Sequence, residues 1–263
     1  MERERLIDFH THIYPDSIAQ KAVDSVGDFY HIPMQGKGLL EDFQRGASQF
    51  DLRASVVHMV ATTPRQVETV NKFGQELLSQ RVFVFGSLHP QFEQNLAEID
   101  RLRTVGFSGV KMHPDFQQFN IDDPALYPVY AYLEETGFPI LMHMGDARYD
   151  FSRPHRLAKV LGDFPGLTVI AAHLGGYCRW EEVRRHLAGR RLYMDSSSCL
   201  WSLGTEGCRK LIEEHGVEKV FFGSDYPVIS INAEMELFDR MELDTASRSK
   251  ILYENAARFL GVE

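Results

Sequence analysis

The sequence predicts an α/β chain folded as a single (β/α)8 TIM barrel, with a helical insertion after its first strand. Three observations carry that expectation. Short β-branched or aromatic runs recur eight times, stretches of helical periodicity separate them, and most of the runs are close to continuously apolar. Continuous apolarity is what a parallel strand covered on both faces requires. A length of 263 residues suits one large barrel or two small domains. No linker, low-complexity tract or composition shift divides the chain, so residues 1–263 are read as one domain.

In chain order the strand candidates are residues 6–10, 54–60, 82–88, 109–113, 139–144, 168–174, 192–197 and 220–225. Asp122-Asp123-Pro124 reads as an N-cap with an early proline, starting a helix that ends near Gly137. Ser152-Arg153-Pro154 opens another, which stops before Pro165. Residues 64–80, 91–105, 179–188 and 205–215 carry similar apolar stripes. The stretch from Pro15 to Phe50 is the longest insertion and reads as two helices over the barrel mouth, while Thr245 to Leu260 closes the outer ring. An open doubly wound sheet would want a glycine-rich phosphate turn after its first strand, and HTHIYP stands there instead.

Composition narrows the function classes. With 28 Lys and Arg against 37 Asp and Glu, the formal charge is -9, which argues against a nucleic-acid partner. An anionic substrate stays open, because a metal and a few arginines reverse the field inside a cleft. Cys178, Cys199 and Cys208 form no CxxC pair and read as reduced thiols of a cytoplasmic protein. The charged N-terminus lacks an apolar h-region, so no signal peptide is expected. No run approaches the roughly 20 apolar residues that span a bilayer.

In a parallel barrel, function gathers at the C-terminal strand ends. His10 and His12 end the first expected strand, Lys111 and His113 the fourth, and His143 lies near the end of the fifth. His173 comes near the end of the sixth, Asp195 lies in the seventh, and Asp225 ends the eighth. His10 and His12, two apart on a strand, point to one side, so both imidazoles can reach one ion, with Asp8 just before them. Imidazoles with one carboxylate suit a divalent metal: Zn2+ is the expected ion, and Mn2+, Fe2+ and Ni2+ are compatible.

With these residues in place the chain resembles the amidohydrolase superfamily, in its compact amidohydrolase-2 branch. The resemblance rests on DFHTH (8–12), GVKMHPD (109–115), ILMHMGD (140–146), VIAAHLGG (169–176), FGSDYP (222–227) and ENAARFL (254–260), in the family's order. It implies a metal-dependent barrel enzyme with the metal on His10, His12, His143 and Asp225, and one ion rather than two. Asp225 would also take the proton of a metal-activated water. His173 would polarise the substrate or bind a second ion. Lys111 matches the position at which two-metal relatives carry a bridging carboxylated lysine, and one-metal relatives a substrate contact. His113, two residues on, is expected to face the same side as Lys111 and is a candidate substrate contact.

Arg148, Tyr149, Tyr177, Arg179 and Trp201 follow strands five to seven and are candidate substrate contacts, the arginines suggesting a carboxylate. Asp195 can orient a neighbouring ligand. The leading expectation is hydrolysis of a C–N or C–O bond (amide, lactam, lactone or ester) in a small carboxylated metabolite. The alternative is non-oxidative decarboxylation of an aromatic or unsaturated acid, and a third reading is a catalytically silent binding barrel. A homodimer is suggested only because related barrels often pair.

Overall fold

A computed structural model describes residues 4–262; the sequence readings that touch residues 1–3 and 263 lie outside the described residues. The strands are β1 (Arg5–Thr11), β2 (Asp51–His58), β3 (Val82–Ser87), β4 (Gly109–Met112), β5 (Ile140–Met142), β6 (Val169–Ala171), β7 (Tyr193–Asp195) and β8 (Val220–Phe221). They form one eight-stranded sheet in sequence order, each strand parallel to the next. The sheet curls until its edges meet: Phe9 N donates to Phe222 O at 2.8 Å, and Asp225 N to His10 O at 2.8 Å. A single bridge joins Thr11 to Tyr226 beyond them. This is the expected α/β barrel, nearly closed.

Strands five to eight are shorter than their apolar runs suggest. Beyond β6 and β7, and in the loop after β8, His173, Ser198 and Asp225 take φ of 58°, 52° and 64°. Left-handed backbone cannot continue a ladder, and it turns the side chains that follow each strand out of the pleat. Strand β1 has a register irregularity between Asp8 and Thr11. An extra residue in a ladder re-aims side chains. Phe9 can therefore fill the barrel interior while His10, its neighbour, packs on His58 with ring centroids 4.6 Å apart.

Two apolar layers hold the barrel. The inner one gathers Ile7, Phe9, Val56, Phe85, Ile170 and Phe221, with Phe9 stacked on Phe221 at 4.2 Å between centroids. The outer one sets Val57, Val84, Val110, Ile140 and Val169 against the helices. Burying a side chain the size of Phe9 contributes about 1.5–3 kcal/mol over leaving it in water. The expected insertion is present as α1 (Ala19–Tyr30) and α2 (Leu40–Gly46). The loop between them is pinned to the β8 end, where Gly36 N donates to Pro227 O at 3.0 Å. A Cβ on Gly36 would stand 2.2 Å from the Tyr226 ring, so only glycine permits that approach.

The three cysteines are free, Cys178 exposed and the other two buried. No helix among the described residues is long and apolar enough to cross a membrane.

His215, 2% exposed, donates from Nε2 to Leu192 O at 3.1 Å. Burial, with Lys219 nearby, lowers its imidazole from 6.5 to about 4. A depressed folded-state pKa contributes stability above the unfolded value that is lost as pH falls towards the folded one. Between pH 7 and 4.5, wild type should therefore lose about 2 kcal/mol more unfolding free energy than His215→Gln, with the other histidines common to both. Denaturant titrations at the two pH values measure this, and parallel losses would contradict it.

Candidate active site

Local chain geometry brings the reactive residues to the C-terminal mouth of the barrel. His10 is fully buried and its Nδ1 lies 2.9 Å from Asp195 Oδ2. An ionised carboxylate only accepts, so Nδ1 carries the proton and Nε2 is a bare lone pair. That Nε2 is buried with no hydrogen-bond partner. His12 repeats the arrangement: its Nδ1–H donates to the carbonyl of His58 at 3.0 Å, leaving Nε2 unprotonated. Both Nε2 atoms stand 3.5 Å from Asp225 Oδ1. Asp225 is held from behind, its Oδ2 accepting from Ser198 Oγ at 2.5 Å.

Two lone pairs and a carboxylate oxygen facing one another repel unless positive charge lies between them. Burial, with Lys111 and neighbouring imidazoles, holds His10 well below its usual range and therefore neutral. Burial alone would raise the Asp225 carboxyl; positive charge on His12, His10 and His173 beside it would bring it well below the usual carboxylate range, the same attraction a cation supplies. The orphaned Nε2 of His10 and this donor set fit a divalent cation. His10, His12 and Asp225 have ligand atoms within 4.8 Å of one another.

Supports reach back into the barrel. Ser197 Oγ lies 3.2 Å from His10 Nδ1 and 2.9 Å from His173 Nδ1, and also bonds Asp195 Oδ1. Asp8 Oδ1 accepts from His10 N at 3.1 Å and Ser224 N at 2.9 Å, tying β1 to the β8 loop. Burial raises Asp8 to about 7. His58, given no role from sequence, donates from Nε2 to Phe9 O at 2.8 Å and backs the rings of both His10 and His12.

His143 stands apart from the His10–His12–Asp225 group and belongs to a second one with His113 and Asp115. Its Nδ1 is 3.0 Å from His173 Nε2, and its Nε2 is 3.4 Å from Tyr30 Oη. His113 stacks on it with centroids 3.8 Å apart, and Phe116 stacks on His113 at 3.9 Å. A Cβ on Gly145 would lie 1.9 Å from Gly176 O, so the loops carrying His143 and Tyr177 touch backbone to backbone there. Lys111 is 1% exposed, its Nζ has no hydrogen-bond partner, and burial lowers it to about 8.

One cavity joins these groups. His10, His12, Lys111, His113, His143, His173, Tyr177 and Asp225 line it, with Val26, Ile32, Met34, Val60, Phe116 and Val228 as apolar wall. Arg148, Tyr149, Arg179 and Trp201 are not among its lining residues. Arg148 instead pairs with Asp146 at 3.0 Å and caps the Phe29 ring at 4.2 Å, while Arg179 donates to Asp146 O at 2.9 Å. Tyr149 and Trp201 lie 38% and 46% exposed on the rim. Tyr14, just after β1, and Tyr30, from the insertion, reach the cavity without having been singled out in the sequence. The signal available for Tyr30 was its place on the one long insertion over the mouth.

A protein-family model described as Amidohydrolase matches residues 7–262. Gamma-resorcylate decarboxylase of Rhodococcus jostii (strain RHA1) is 25% identical over 191 residues, 64% of this chain and 53% of that protein. The chain thus spans about half the length of that relative. A dihydroxybenzoic acid decarboxylase from Polaromonas sp. JS666, solved with manganese and 2-nitroresorcinol, aligns with TM-score 0.71 and 15% identity, covering 99% of this chain and 97% of that one. A Pseudomonas putida protein described as a 2-pyrone-4,6-dicarboxylic acid hydrolase aligns at TM-score 0.68 and 17% identity, covering 99% and 98%. Those two structures share the fold.

If Asp195 fixes the His10 tautomer for a cation, Asp195→Asn should weaken divalent-metal affinity by about 10–100-fold while the fold is kept. Metal titration followed by fluorescence or calorimetry measures this, and unchanged affinity would contradict it.

Proposed function

The chain belongs to the amidohydrolase family, and within it we propose that this protein is a metal-dependent non-oxidative decarboxylase of a small aromatic or unsaturated carboxylic acid. The observation that carries this reading is a cation-binding floor under an apolar roof contributed by the insertion, through Val26, Ile32 and Met34. An apolar wall disfavours a localised carboxylate relative to the dispersed charge of departing carbon dioxide. The decarboxylases among its relatives support the same chemistry.

His10, His12 and Asp225 hold the cation, and His143 is the further donor that the sequence pattern assigns. When bound, the cation supplies a Lewis acid that neutralises the substrate carboxylate and the charge developing in the transition state. Manganese is the first ion to test, because the Polaromonas relative carries it, and zinc remains compatible with the donors. Lys111 presents an unpartnered ammonium to the cavity. As the carbon–carbon bond breaks, the electron pair stays on the substrate carbon and Lys111 Nζ delivers a proton there, regaining one from solvent. The net change is carboxylate plus proton to carbon dioxide plus the protonated product. His173, held by Ser197, keeps the cavity wall beside His10 in place.

One observation favours hydrolysis of a C–N or C–O bond as a second reading. Asp225 Oδ1, kept ionised, stands 3.5 Å from both metal-facing nitrogens, where it can take a proton from water. Incubating manganese-loaded protein with 2,6-dihydroxybenzoate and related hydroxybenzoates in deuterated, oxygen-18 water separates the two. Decarboxylation predicts carbon dioxide release, deuterium at the vacated carbon and no oxygen-18 in the product, with at least a hundredfold loss on chelation. Oxygen-18 in a cleaved product of a lactone or amide panel, without carbon dioxide, would establish the hydrolytic reading instead.

A further inference from the structure

Helix α1 lies across the cavity, yet little in its own sequence holds it there. Only Ala19 and Val23 of its twelve residues are buried. Ile18 at its start offers no side-chain cap, and the helix has neither an acidic first turn nor a basic last one. An element with so few buried apolar contacts opens locally at low cost. Its outer end is held from elsewhere. Arg148, in the loop after β5, donates from Nη1 to the carbonyl of Phe29 at 2.5 Å, one of the last-turn carbonyls that lack a partner within a helix. The guanidinium also lies over the Phe29 ring, 4.2 Å from its centroid, and so supplies the positive charge that the helix end lacks. Asp146, 2% exposed, fixes Arg148 in a fork, with Nε to Oδ1 at 3.2 Å and Nη2 to Oδ2 at 3.0 Å.

The base of the insertion is tied by backbone instead. Tyr14 N donates to Gly38 O at 2.8 Å, and Gln35 N and Gly36 N donate to Pro227 O at 3.1 and 3.0 Å. Between those ties the chain carries Val26, Tyr30, Ile32 and Met34 into the cavity. With these side chains in place the cavity's free volume is about 50 Å³. A water molecule has a share of roughly 30 Å³ in the liquid, and benzene fills a cavity of roughly 150 Å³. The space beneath α1 therefore holds water but not an aromatic or comparably sized acid.

We propose that α1 and the loop to Met34 form a lid that lifts at its Arg148 end to admit substrate, and that the Arg148 guanidinium is its latch. The backbone ties to Gly38 and Pro227 are the hinge. Arg148 lines no part of the cavity and acts through the helix end, so it is a positioning residue. The inference holds for either chemistry at the cation, since both require a small organic acid to enter.

The test uses cobalt-substituted protein and two metal-binding probes, azide and benzohydroxamate, followed by stopped-flow absorbance. In wild type the capture rate of benzohydroxamate should level off with concentration, because opening precedes binding, while that of azide rises linearly. Arg148→Met keeps an apolar stem over the Phe29 ring and removes the donors. It should raise both capture and release of benzohydroxamate about tenfold, with azide rates and cobalt affinity unchanged. Arg148→Lys, which keeps the charge without the fork, should fall between the two. Benzohydroxamate capture by wild type that stays linear, rates unchanged in Arg148→Met, or an equal acceleration of azide would overturn the latch. Hydrogen exchange on metal-free protein makes the comparison without a cation, so failure of the metal site to load leaves it standing. Amides of residues 19–30 should exchange about tenfold faster in Arg148→Met than in wild type, with the barrel strands unchanged. Equal exchange in α1, or faster exchange throughout the barrel, would contradict the proposal.

Discussion

Two imidazole nitrogens with bare lone pairs, aimed with a carboxylate oxygen at one point, are the constraint on which this molecule turns. Each tautomer is enforced from behind: Asp195 takes the Nδ1 proton of His10, and the His58 carbonyl takes that of His12. A buried lone pair without a partner costs free energy, and three mutually repelling acceptors cost more. A divalent cation placed among them would convert that cost into binding. The surrounding polar network has the form of an apparatus for keeping ligands unprotonated and correctly turned.

The barrel supplies this arrangement through its irregularities. The register shift in β1 allows Phe9 to seal the interior while its neighbour His10 turns to the mouth. Left-handed residues follow β6, β7 and β8, at His173, Ser198 and Asp225, and turn the chain beyond the strands at the mouth. Strained backbone of this kind persists only where packing over-determines it, and the fully buried Ile7, Phe9 and Phe221 beneath provide that packing. The insertion then converts an open mouth into a cavity, because α1 contributes both apolar roof and the Tyr30 hydroxyl.

Much of this was legible from the sequence. Continuous apolar runs announced parallel strands, and the two-residue spacing of His10 and His12 announced a shared direction; the structure puts their rings 5.2 Å apart. Asp225, far along the chain, could be placed because barrel closure sets the end of β8 beside β1. Other contacts were hidden because they depend on side-chain and loop conformation. His58 looks like any strand histidine until its carbonyl and ring are seen behind His10 and His12. Arg148 has the composition of a carboxylate contact, yet the nearer Asp146 captures it. The second group of His113, Asp115 and His143 depends on how the imidazole rings are turned, which spacing along the chain does not encode.

Anomalous diffraction from crystals of the manganese-loaded protein tests the central claim most directly. The account predicts one strong peak per chain, about 2.0–2.3 Å from His10 Nε2, His12 Nε2 and an oxygen of Asp225. A peak held elsewhere, or an ordered metal-bound protein in which either histidine still turns Nε2 away from the ion, would contradict it.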